Sequence, residues 1–139
     1  MTYKYSICHP DKPNIEYPEK KLNGDEVIEM IKFYPWLDIL KLMDKIPDER
    51  IYYSPSLDFE SSSDKRNLCI TATLESGKPK FSLWYQRPVI IRPLFGLLPK
   101  KTRIKVIDKW GFNLDQAIEY YQLFLDRQFE KLERLMTEK

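Results

Sequence analysis

At 139 residues, with 42% hydrophobic, 14% aromatic and 32% charged side chains, the chain is long enough to bury a core without staples and too rich in large apolar groups for disorder. The same charge content excludes a membrane bundle; the two cysteines, Cys8 and Cys69, form neither a disulfide framework nor a metal-ligand pair, so a reduced, cytoplasmic setting is expected. The net charge of +2 hides a division, because residues 1–60 lean acidic while Lys78–Lys109 carry nine bases against the single acid Asp108, which bears on partners and encounter rather than on fold.

In chain order, TYKYSICH sets its tyrosines, Ile7 and Cys8 among smaller or polar neighbours and suits a short first strand. The N-terminal run has no apolar segment of the kind a signal peptide needs. PDKPNIEYP reads as an extended connection, because residues before proline are pushed out of the helical region. NGDEVIEMIKFY then predicts a helix capped by Asn23 or Asp25, with Val27, Ile28 and Ile31 on its buried face. Pro35 interrupts, and WLDILKLMDKI resumes the pattern through Trp36, Leu37, Leu40, Met43 and Ile46, giving two short helices or one bent one.

From Arg50 the period falls to two. RIYYSPSLDFES places Ile51, Tyr53, Pro55, Leu57 and Phe59 on one face, and Pro55, which cannot donate to a ladder, suggests an edge strand. SSSDKRN is a polar connector. LCITATLE, the turn SGKP and KFSLWYQR predict a hairpin with Leu68, Ile70, Ala72, Leu74, Phe81, Leu83 and Tyr85 facing together.

WYQRPVIIRPLFGLLPKK follows as the least ordinary stretch. Its apolar runs are far shorter than the ~20 residues of a membrane span, and Pro88, Pro93 and Pro99 argue against a helix and against a central strand. It divides into a strand end at Trp84–Arg87, a proline-bent apolar crossing and a basic exit. Val89, Ile91, Leu94, Phe95 and Leu97 are expected mostly beneath the helices, with part of the run exposed.

TRIKVIDKW predicts a last strand, with Ile104 and Val106 on one face and Lys105, Ile107 and Lys109 on the other. Asn113 and Gln116 make a capping pair, and a stripe through Leu114, Ala117, Ile118, Tyr121, Phe124, Leu125, Leu132 and Leu135 predicts one long amphipathic helix. The expected architecture is a single α+β domain over 1–139. It has an antiparallel sheet of four to five strands packed by a bent N-terminal helical pair and a long C-terminal helix.

No reaction chemistry can be written on this pattern. His9 sits beside Cys8, but adjacent strand residues face opposite ways and cannot form a dyad. Gly24, Gly77, Gly96 and Gly111 are too scattered for a phosphate cradle. Asp58 and Glu60 share a strand face and read as solvent-facing acids. The expectation is a protein that is not an enzyme, with no metal and no cofactor. Exposed apolar residues ringed by bases instead suggest a partner-binding surface at Trp84, Arg87, Arg92, Phe95, Lys100, Lys101 and Arg103.

The layout as a whole, an N-terminal strand, a helical pair, strands such as LCITATLE and KFSLWYQRP, and the helix over NLDQAIEYYQLFLDRQFEKLERLM, resembles the immunity proteins of bacterial polymorphic and contact-dependent toxin systems. That resemblance implies an inhibitor that binds and neutralises a cognate toxin domain. A basic toxin would choose the acidic helices, through Asp25, Glu26, Glu29, Asp38, Asp44, Asp48 and Glu49, and an acidic toxin the basic stretch. The alternative is a single-stranded nucleic-acid binder using segment 78–109, with binding that weakens steeply in salt and depends on Lys100, Lys101 and Arg103.

Overall fold

The computed structural model describes residues 1–91, 96 and 99–138. Among them the chain forms five strands and four α-helices in the order β1 (Tyr3–Cys8), α1 (Gly24–Phe33), α2 (Trp36–Asp44), β2 (Ser56–Ser61), β3 (Asn67–Glu75), β4 (Lys78–Ile91), β5 (Lys101–Phe112), α3 (Leu114–Leu125) and α4 (Phe129–Thr137). The strands make one sheet in the order β1-β2-β3-β4-β5, antiparallel throughout. The α+β class with a five-stranded antiparallel sheet follows the sequence reading.

The period of two decides which face is covered. Tyr3, Ile7, Leu57, Phe59, Leu68, Ile70, Ala72, Phe81, Leu83 and Tyr85 are buried, and they form one cluster with Val27, Ile31, Trp36, Leu40, Ala117, Tyr121, Phe124, Leu132 and Met136 of the helices. A Ser76–Gly77 turn joins β3 to β4 with both residues at positive φ (51° and 75°), the twist a two-residue hairpin needs. A bulge between Phe81 and Ser82 sets Ser82 opposite Trp110 and Phe81 opposite Phe112, so the extra residue Gly111, at φ 90°, returns Phe112 to the covered face.

Two expectations change. Pro55 suggested an edge, but β2 lies between β1 and β3; Pro55 falls just before the strand and needs only its carbonyl, which accepts from the Ala72 amide at 3.0 Å. The single long C-terminal helix is two helices. At the break the Arg127 amide donates to Phe124 O and the Gln128 amide to Leu123 O, at 3.1 and 2.9 Å, the Schellman pattern that ends a helix. Arg127 takes the left-handed conformation at φ 58°. It is held there by Asp64, 2.7 Å away, and by its guanidinium over the Phe129 ring at 5.0 Å.

Helix α3 begins at a full capping box: Asn113 Oδ1 accepts from the Gln116 amide at 2.8 Å and Gln116 Oε1 from the Asn113 amide at 2.9 Å. Replacing Asn113 with Ala is expected to lower stability by about 1 kcal/mol in urea denaturation, because α3 carries Tyr121 and Phe124 into the core.

Candidate docking surface

The two edges of the sheet are treated differently. β1 is closed on its outer side by reciprocal bonds between Tyr3 and Leu22 and between Ile7 and Glu16, all 2.8–2.9 Å. β5 has β4 as its only strand partner among the described residues.

β4 also outruns the strand on its other side. The last β3–β4 pair is Asn67 with Gln86, whereas β4 and β5 stay paired from Arg87 with Lys105 to Ile91 with Lys101. The result is a two-stranded ribbon projecting roughly 13 Å past the rest of the sheet at a strand's usual rise. This explains how Pro88 sits within a strand: its only partner there is Ile104, so on the far side no ladder bond is lost. Pro88 argues only against a central strand, and β4 is flanked on one side alone there; the strand end expected at Arg87 moves to Ile91.

Alternation divides the ribbon chemically. On the helix side lie Arg87, Lys101, Arg103 and Lys105 with half-buried Val89 among them; on the opposite side lie Pro88, Ile90, Thr102, Ile104 and Val106. Every residue from Lys101 to Val106 is exposed, and Ile90, Ile104, Val106 and Trp110 expose 72%, 58%, 49% and 60% of their surface. Single exposed apolar residues are ordinary, but Ile90, Ile104 and Val106 lie together on the ribbon and at its base, with Trp110 farther along the same face beyond Asp108, and such a run marks an interaction site. Trp110 meets Trp84 edge to face at 5.3 Å and 74°. Both indole N–H groups are occupied internally, by Asp108 Oδ2 at 2.6 Å and Ser82 Oγ at 3.3 Å, which leaves apolar rings outward.

The ribbon is anchored at its base to α4. Arg87 pairs with Glu133, and Lys109 Nζ donates to the Leu135 carbonyl at 2.8 Å, satisfying one of the open carbonyls at the end of that helix.

The chain matches no known protein family, no curated protein and no solved structure. What the surface can do is read from its residues alone.

Of the sequence-derived site residues, Lys101 and Arg103 lie on the basic face of the ribbon, Lys100 is exposed just before it, and Trp84 lies half-buried on the opposite face. Arg87 belongs to the basic row but is engaged by Glu133. Arg92 and Phe95 lie outside the described residues, as do Leu94 and Leu97. Val89 is half-buried and Ile90 exposed. Sequence reasoning passed over Ile104, Val106, Lys105 and Trp110 as site residues, although the alternation of TRIKVIDKW already separated Ile104 and Val106 from Lys105.

The remaining polar groups have a different character. His9 Nε2 lies 2.8 Å from Glu16 Oε2. Burial pushes the Cys8 thiol up and the Cys69 thiol to about 12, the reverse of nucleophile activation. Asp58 and Glu60 do share one face, where they line a hollow of about 400 Å³ with Lys4, Ser6, Asn67 and Gln86. Asp58 is not freely solvated, however: it accepts from Asn67 Nδ2 at 2.8 Å, and burial raises its pKa.

That raised value carries a sign. The folded state holds the proton of Asp58 more tightly than the unfolded state, so the ionised group lowers stability above its folded pKa, and the penalty fades as pH falls toward the ordinary carboxylate value. Asp58→Asn, which keeps the acceptor for Asn67, is expected to gain on the order of 1 kcal/mol at pH 7. The gain should vanish when denaturation is repeated below about pH 4.

Proposed function

We propose that this chain is a non-enzymatic protein-binding module that docks its partner on the β4–β5 ribbon and that, following the resemblance of its sequence layout to immunity proteins, the partner is a toxin domain it neutralises. The observation that carries the reading is the segregation of an exposed apolar row and an exposed basic row on one projecting ribbon. Interfaces combine an apolar, aromatic centre with charged surroundings that steer encounter, and both are present within a few residues. The acidic exposed positions of α1 and α2 lie outside the ribbon; those helices also expose Phe33, Leu37 and Leu42, spread over two elements and not on one strand pair.

Nucleic acid suits the ribbon less well. Stacking rings and phosphate-binding cations serve one strand only when they share a face, and here Trp84 and Trp110 lie opposite Lys101, Arg103 and Lys105. Calorimetric titration with the product of the adjacent gene tests the proposal. Tight stoichiometric binding is the expected result; no binding to that product, or instead salt-sensitive binding to single-stranded oligonucleotides, overturns it.

A further inference from the structure

The basic and apolar rows of β5 pose a geometric problem, since a partner surface laid on either face of the ribbon meets only one of them. The geometry points to strand addition: the partner contributes an extended segment, alternating acidic with apolar side chains, that pairs with the outer edge of β5 over Lys101–Val106. This inference rests on the ribbon being a protein-docking surface and specifies how it docks.

A strand lying in the plane of the sheet sends side chains alternately to both faces. It is therefore the arrangement in which one segment sets carboxylates beside Lys101, Arg103 and Lys105 and apolar groups beside Ile104 and Val106. The backbone is ready for it. An edge strand leaves alternate N–H and C=O groups unpaired; β5 has no strand beyond it among the described residues, and Lys101–Val106 are all exposed. The β1 edge, by contrast, is already closed by Glu16 and Leu22.

Charge selects the occupant. Residues 101–107 contain Lys101, Arg103 and Lys105 and no acid, so pairing this edge with the same edge of a second copy would set bases against bases, which is unfavourable across strands. Lysines on an edge strand guard against self-pairing and at the same time favour an acidic strand.

The probe is a short synthetic peptide alternating glutamate with valine, added to the intact protein and followed by backbone amide hydrogen exchange and shift changes. New protection confined to alternate amides of Lys101–Val106 is expected. Arg103→Glu combined with Lys105→Glu should weaken binding about tenfold as attractive cross-strand pairs become repulsive, and the same peptide N-methylated along both backbone edges should not bind. Absence of peptide binding, or protection through a self-paired dimer at β5, overturns the inference. Equal binding of the N-methylated peptide also overturns it, while leaving the ribbon as a docking surface that works through side chains. Failure of the docking proposal itself would appear separately, as a neighbouring gene product that does not bind.

Discussion

Replacing Phe124 with Ala is expected to cost about 3–5 kcal/mol in urea denaturation, the range for emptying a buried aromatic site. Phe124 is 1% exposed. Its ring centroid lies 5.9 Å from that of Tyr3 on β1, 6.2 Å from Tyr85 on β4, 6.3 Å from Tyr121 on its own helix and 6.1 Å from Phe129 on α4. One side chain thus joins two strands and both C-terminal helices. Most of these contacts are edge-to-face, an arrangement that adds to simple burial. Because whole domains are stable by only about 5–15 kcal/mol, the variant should lose a large part of its folded population on mild heating. Phe124→Leu, which refills most of the volume, should lose far less. A cost for the Ala variant under about 1 kcal/mol would mean that the sheet and α4 do not share a core at this point.

Ile104→Thr combined with Val106→Thr should behave in the opposite way, with stability almost unchanged and affinity sharply reduced. Both residues are exposed, and threonine keeps the β-branched shape that suits a strand. The fold should therefore change by no more than about 0.5 kcal/mol. Removing two apolar groups from the centre of the docking row is expected to weaken binding to the adjacent gene's product by about 2 kcal/mol, or roughly 30-fold. Asp25→Asn with Asp38→Asn on the acidic helices serves as the comparison and should leave affinity within a factor of about two, since rim charges govern encounter more than residence. If the acidic pair lowers affinity and the ribbon pair does not, the docking surface lies on α1 and α2.

Much of the fold was legible wherever the period of two was clean. LCITATLE and KFSLWYQR announce both the hairpin and its inward faces, and Leu68, Ile70, Phe81, Leu83 and Tyr85 are buried accordingly. The C-terminal region was legible only in part, because Arg127 gives no sign of a break. A left-handed residue that ends a helix is usually glycine. Here an arginine takes that role because Asp64, far away in sequence, and Phe129 receive its guanidinium. Hydrogen bonds from Arg127 and Arg66 also outweigh partial burial and hold the Asp64 carboxyl below its ordinary range, which ties the break to the β2–β3 connection.

By itself the sequence determined which side chains along each strand share a face, and that the positive charge concentrates between Lys78 and Lys109. Both are local properties: side-chain direction alternates with every residue, and charge is a count. Only the tertiary structure decided which faces are covered and which edge is left open. Ile104 and Ile107 are equally apolar, yet Ile107 is buried opposite Tyr85 and Ile104 is exposed opposite Pro88. The difference is the face: Ile107 lies on the side the helices cover and Ile104 on the other, whereas Lys101, Arg103 and Lys105 share the side of Ile107 yet are exposed because β4 and β5 continue beyond the end of β3 beside Gln86. Strand length and sheet order, set by contacts between distant segments, turned an ordinary alternating strand into a surface with two exposed chemistries.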